Sequence, residues 1–348
     1  MKRQWTKLVA IGMLFILCVC AATACGESNS TADNSSAVNT TKTESQSNTS
    51  TSNTASSGDK ILMGYSSKNK ANPFQYEFMC GVEDAIDSST TELVETDANS
   101  DAAKQVSDIE DLVSRGCKVI FFVPYDSHGL ESVLKEAKAA GVIMINLDNA
   151  VDENSKQYVD ATVVSDNYQA GTLCAQHLAE GINKKGNIGA YEVPTSVASV
   201  DRSAGFFDTL KSDYPDIKVV ADQTATSGTT DTALPVMEDI LQANPDIVGM
   251  FGYCDSASLG CVSAIKSAGK LDQIKVVSVD GSTDGKTAIA AGELYGSAAQ
   301  FPAKVAEYGV QAAYSLLKGE KLNSDYIKVP TEWCNKDNYK EILNFTHN

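Results

Sequence analysis

The residues of this chain that are able to do chemistry gather behind apolar runs. Asp126 follows the run 119–123, and Asp148 and Asn149 follow 142–147. Cys254 and Asp255 follow 247–253, Asp280 and Gly281 follow 274–279, and Gln300 ends the strand-like stretch 294–299. A carboxylate accepts two hydroxyl hydrogens at once, and an arginine such as Arg202 offers forked donors to neighbouring oxygens. Polar groups repeated along one edge in this way suit the grip on a small, polyhydroxylated molecule. Arg202 is expected near the start of a helix, where its charge opposes the helix dipole, which points to a specific task. A surface salt bridge is the rival reading.

Catalysis finds less support. The only histidines are His128, His177 and His347, with His177 expected on the surface of a helix. Neither a GxSxG elbow nor an HExxH metal motif occurs. A glycosidase needs two carboxylates about one bond. Asp148 and Asp280 facing each other across a cleft would be that pair, and turnover against simple retention separates the two readings. The stretch 281–287, GSTDGKT, resembles a phosphate-binding loop but has three residues between its glycines where that motif needs four. The expectation is a binder and not an enzyme, with no cofactor and no metal.

The runs that carry these residues read as strands: 61–65, 119–123, 142–147, 188–191, 217–221, 247–251 and 274–279. They are short and almost continuously apolar, as strands covered on both faces are. Helical stretches lie between them at 101–115, 130–140, 167–180, 230–243 and 256–268. Gly116, Gly141 and Gly269 each follow a helix, where a left-handed cap favours glycine. Such alternation implies parallel sheets wrapped by helices. In open parallel sheets a ligand sits beyond the carboxyl ends of the strands, where the polar residues above stand.

A chain of 348 residues is longer than one core usually serves, so two lobes are expected. A net charge of −17 sets nucleic acid aside as a partner. The N-terminus reads as an export leader, residues 1–24. Lys2, Arg3 and Lys7 precede an apolar stretch, 8–19, too short to span a bilayer comfortably. Ala22-Thr23-Ala24 then leads into Cys25-Gly26, which resembles the lipobox of bacterial lipoproteins and implies a lipid on Cys25. An ordinary signal peptide cut nearby is the alternative, and either one exports the chain. Residues 25–59 are Ser, Thr and Asn almost throughout, a flexible tether unable to bury enough apolar surface to fold. Cys80, Cys117, Cys174, Cys254, Cys261 and Cys334 match no metal or CxxC spacing and are expected as small buried hydrophobes.

From residue 60 to about 329 the chain resembles the periplasmic sugar-binding proteins of the ribose-binding type, substrate-binding components of ABC importers. The resemblance rests on ordered elements: Asn72-Pro73-Phe74, Pro124-Tyr125-Asp126-Ser127, Asp148, Ser165-Asp166-Asn167, Arg202-Ser203-Ala204-Gly205-Phe206, Val279-Asp280-Gly281 and Gln300-Phe301-Pro302. It implies a type I binding-protein fold: two similar α/β lobes, 60–165 with 301–328 and 166–300 with 329–348, joined by three hinge strands near Asp166, Gln300 and Val329. It also implies a monomer that clamps a sugar, or a sugar-like polyol, between its lobes and presents it to importer permease subunits or to a sensory receptor.

Asp148, Arg202, Asp280 and Gln300 match positions that hydrogen-bond sugar hydroxyls, while Asn72 and Phe74 match a loop that contacts the sugar and stacks on its carbon face. Four positions depart from the ribose binders, among them Val123, which replaces a polar contact. Asn149 stands where they carry arginine, Cys254 where they carry asparagine, and Gln75 where a second phenylalanine follows the first. Structural alternatives remain: Asp148 and Asp280 as turn residues, Phe74 as core, Gln300 as a partner of hinge backbone. Tyr125 and Trp333 are read as packing.

Overall fold

The structure, a computed structural model, describes residues 60–342. The expected leader 1–24, Cys25 and the tether 25–59 lie outside the described residues, as do 343–348 with His347. Twelve described strands form two sheets of six. The first has the order β11-β5-β4-β3-β1-β2, made of β1 (Ile61–Ser67), β2 (Thr91–Asp97), β3 (Val119–Phe122), β4 (Ile143–Leu147), β5 (Ala161–Ser165) and β11 (Tyr326–Val329). The second, β12-β10-β9-β8-β6-β7, is built from β6 (Gly186–Glu192), β7 (Ile217–Thr224), β8 (Ile247–Gly252), β9 (Lys275–Asp280), β10 (Gly296–Ala299) and β12 (Glu332–Cys334). All pairings are parallel except β10 with β12, so one edge of the second sheet departs from the parallel expectation.

Helices cover both faces of each sheet. Successive strand side chains point to opposite faces, so Phe121 joins the core under α1 (Pro73–Ala85) and α9 (Pro302–Leu317), while Ile120 and Phe122 join the one under α2 (Ala102–Ser114) and α3 (Glu131–Ala139). In the second sheet Val277 and Val279 meet α4 (Asn167–Gly181) and α5 (Val197–Asp213). Val276 faces α7 (Asp255–Ser267) and its neighbours α6 (Thr230–Ala243) and α8 (Thr283–Ala291). The chain passes between the sheets three times: from β5 into α4, from β10 into α9, and from β11 into β12.

Most expected elements appear within a residue or two of their reading. Gly116, Gly141 and Gly269 take φ of 83°, 79° and 67°, as left-handed caps require. Two helix readings need correction. Arg202 does not open a helix: Ser196 caps α5, accepting from Ser199 N at 3.3 Å, so Arg202 lies well inside. Asn72-Pro73-Phe74 is not a free loop, because Asn72 caps α1 and Pro73 starts it. Strand β2 went unread since its sequence TELVETD carries three acidic residues, tolerated at the edge of a sheet.

Candidate functional site

A cleft of about 1140 Å³ opens at the carboxyl ends of the strands of both sheets. All eight residues singled out for ligand contact line it: Asn72, Phe74, Asp148 and Asn149 from the first lobe, Arg202, Cys254 and Asp280 from the second, and Gln300 from the crossing between β10 and α9.

On the first lobe Asp148 follows β4 with φ of 65°. Such backbone costs about 1–3 kcal/mol at a residue with a side chain and persists where its surroundings enforce it. The side chain does more than close a turn. Its Oδ2 accepts from Gln75 Nε2 at 3.2 Å and lies 3.5 Å from Lys68 Nζ. Asn149 Nδ2 donates to Ser127 Oγ at 2.9 Å, and its Oδ1 is buried without a partner. Asn72 Oδ1 accepts from Phe74 N and Gln75 N, at 2.9 and 3.3 Å, so its oxygen holds the helix start. Phe74 is half-buried, edge-on to Phe78 with ring centres 5.5 Å apart, and serves core and cleft together.

On the second lobe Asp280 ends β9 with φ of 135°. Its Oδ1 accepts from Gln300 Nε2 at 2.7 Å and lies 3.6 Å from Arg202 Nη1, while its Oδ2 accepts from Asp255 N at 3.1 Å. Arg202 is only 5% exposed, which removes the surface salt-bridge reading. Its Nε donates to Asn167 Oδ1 and its Nη1 to Tyr253 O, both at 2.8 Å. Two glycines set that position. A Cβ on Gly171 would meet Arg202 O at 1.8 Å, and one on Gly205 would meet Tyr168 O at 2.0 Å, so α4 and α5 touch backbone to backbone and bring Arg202 to Asn167.

Burial pushes the Asp280 carboxyl up to about 7, with Arg202 opposing and the neighbouring Asp255 adding to the rise. Asp255 itself is raised, again chiefly by burial, although its side chain accepts from Ser282 N, Ser282 Oγ and Ser297 Oγ at 2.7–2.8 Å. The phosphate-loop look-alike is thereby explained: Ser282 N is committed to a carboxylate, and Ser282 Oγ caps α8. Cys254, also raised by burial to about 12, stays a neutral thiol that donates to Gly228 O at 3.4 Å.

Four residues of weight escaped the sequence reading. Lys68 directly follows β1, so the rule that found Asp148 finds it once applied to that strand. Gln75 was read only as a departure, and Asp255 only as a neighbour of Cys254. Tyr125, set aside as packing, lines the cleft at 47% exposure. Trp333 does pack, stacked on His177 at 4.3 Å, which makes that histidine half-buried instead of a surface residue.

Residues 63–321 match a family model described as a periplasmic binding protein domain. The ribose import binding protein RbsB of Bacillus subtilis (strain 168) is 31% identical over 270 residues, which span 77% of this chain and 86% of that protein. The D-ribose/D-allose-binding protein of Pseudomonas aeruginosa is 31% identical over 225 residues, 64% of this chain and 70% of that one. Among solved structures, a periplasmic solute-binding protein of an ABC transporter from Actinobacillus succinogenes 130z, with D-allose bound, superposes with a TM-score of 0.74 at 26% identity. It covers 81% of this chain and 100% of its own.

Proposed function

The chain belongs to the periplasmic binding protein family, and from that membership we propose that it captures a sugar or sugar-like polyol between its lobes and delivers it to an ABC importer. One observation carries the reading. Two strand-end carboxylates, Asp148 and Asp280, line the same cleft from different sheets, each held by an amide N–H and a nearby cation. Carboxylates so oriented accept hydroxyl hydrogens from two sides of a small ring, while Phe74 offers an apolar face to its C–H bonds.

Ligand contacts are proposed for Asn72, Phe74, Asp148, Asn149, Arg202, Cys254, Asp280 and Gln300. The lobes, 60–165 with 301–328 and 166–300 with 329–348, would rotate at Asp166, Gln300 and Val329, and contacts made to both lobes at once favour the closed form. Family membership points to a position outside the cytoplasm. In this proposal residues 1–24 direct export, a lipid on Cys25 holds the protein at the membrane, and the tether 25–59 keeps it near its permease partner, raising their effective concentration. Ligand is retained, not turned over.

The test is a thermal-shift screen of pentoses, hexoses, inositols and nucleosides, repeated with Asp148→Ala. A ligand at about a hundred times its Kd adds about 2.7 kcal/mol of stability. A shift from one sugar, absent in the variant and without chemical change to the sugar, is the expected result. No shift across the whole sugar panel would sink the carbohydrate reading.

A further inference from the structure

Within the cleft taken above as a sugar site, Gln75 is only 3% exposed. Its Nε2 donates to Asp148 Oδ2 at 3.2 Å. Turning the amide over would press Oε1 against that carboxylate oxygen, so charge fixes the orientation. Oε1 is therefore the group left over, and it is buried without a partner. Gln300 repeats the pattern on the other side. It is 7% exposed, its Nε2 lies 2.7 Å from Asp280 Oδ1, and its Oε1 is likewise buried and unpartnered. Lys68 and Arg202 lie against the same two carboxylates. The amide N–H of each glutamine is thus engaged by a carboxylate, whereas its amide oxygen has no partner. A buried acceptor without a donor is costly, so a ligand that brings a donor gains more than one that does not. A hydroxyl hydrogen meets that need. A C–H bond or an alkylated oxygen does not.

We propose, on the basis of that reading of the cleft, that Gln75 is a specificity-determining residue. Through Oε1 it selects a ligand that donates a hydrogen bond to the first lobe, beside the contact already proposed for Gln300. The ligand class is a sugar or cyclitol whose hydroxyls are free at both of these points, in preference to its deoxy or O-methyl counterpart.

The test is calorimetric titration of the protein with the sugar returned by the thermal screen and with each of its mono-deoxy and mono-O-methyl analogues. Wild type is compared with Gln75→Leu, and with Gln75→Met should the leucine variant misfold. For the analogues altered at one hydroxyl, wild type should lose about tenfold or more in affinity. The variant should bind the parent and those analogues within about twofold of each other, and discriminate as wild type does at every other hydroxyl. Its unliganded melting temperature should change little, because the lost Nε2–Asp148 bond is offset by removal of an orphaned acceptor. An unchanged pattern of discrimination overturns the inference. So does a variant that melts early and loses all ligands alike, since that is a structural role. If wild type binds no sugar, the carbohydrate reading falls and this one with it; if wild type binds but the variant discriminates identically, only this one falls.

Discussion

Asp148 and Asp280 hold matching places in the two sheets. Each stands at the carboxyl end of the third strand counted from the β11 or β12 edge, and each has a positive φ. Each also takes a glutamine N–H and lies near a cation. The cations differ. Lys68 reaches Asp148 from a loop with 27% of its side chain exposed, a compact charge on a flexible stem. Arg202 is buried among Asn167, Tyr253 O and Asp280, and Asp280 in turn accepts from the backbone N–H of a second acidic residue, Asp255. Two sites alike in layout therefore differ in what holds them. The first lobe's carboxylate has partly exposed surroundings, whereas the second lobe's belongs to a packed polar network.

The sharpest break in that comparison is Arg202→Met. Arg202 opposes the rise of the Asp280 carboxyl, so without it Asp280 takes up a proton instead of staying charged. The loss of the pair with its hydrogen bonds then costs about 1–3 kcal/mol. Denaturant unfolding of the unliganded variant should show a loss of this order together with lost ligand binding. Lys68→Met, by contrast, should cost the fold no more than about 1 kcal/mol. Equal losses from the two would mean that the lobes are held alike.

Acidity separates the lobes next. The Asp280 carboxyl is raised from its usual 3.8 to about 7, chiefly by burial. Its contribution to stability is thus fully present in acid and is lost as pH climbs from about 4 through 7. The unliganded melting temperature should fall over that window, by an amount worth no more than a few kcal/mol. Asp280→Asn should shrink this slope without abolishing it, since Asp255 is raised as well. A slope of the same size in the variant would show that the titration lies elsewhere.

The smallest effect sharpens the view of Asp148. Glycine tolerates its φ of 65°, so Asp148→Gly removes the carboxylate and the backbone strain together. Calorimetry should find affinity lower by about 1–3 kcal/mol, while unliganded stability holds or rises by up to about 1 kcal/mol. A fall in both would make Asp148 structural.

Much of this was legible in the chain. The buried strands were, because VIFF in β3 and its counterparts are apolar on both faces. So were the residues at strand ends, because an open parallel sheet directs its polar chemistry there. Edge strand β2 was not, since strand pairing and not burial makes it a strand. The start of α5 was missed for a different reason: Ser196, its cap, sits in a run of small residues where several could serve.

The order of elements, the parallel sheets and the candidate contacts at strand ends are set by local pattern, which the sequence carries by itself. What the tertiary structure alone decided is which groups meet. Gln75 reaches Asp148 across 73 positions, and the pairing of Gly171 with Gly205 seats Arg202 beside Asn167. Hydrogen bonds and desolvation depend on distances of a few ångströms between residues far apart in the chain, and no local periodicity encodes such distances.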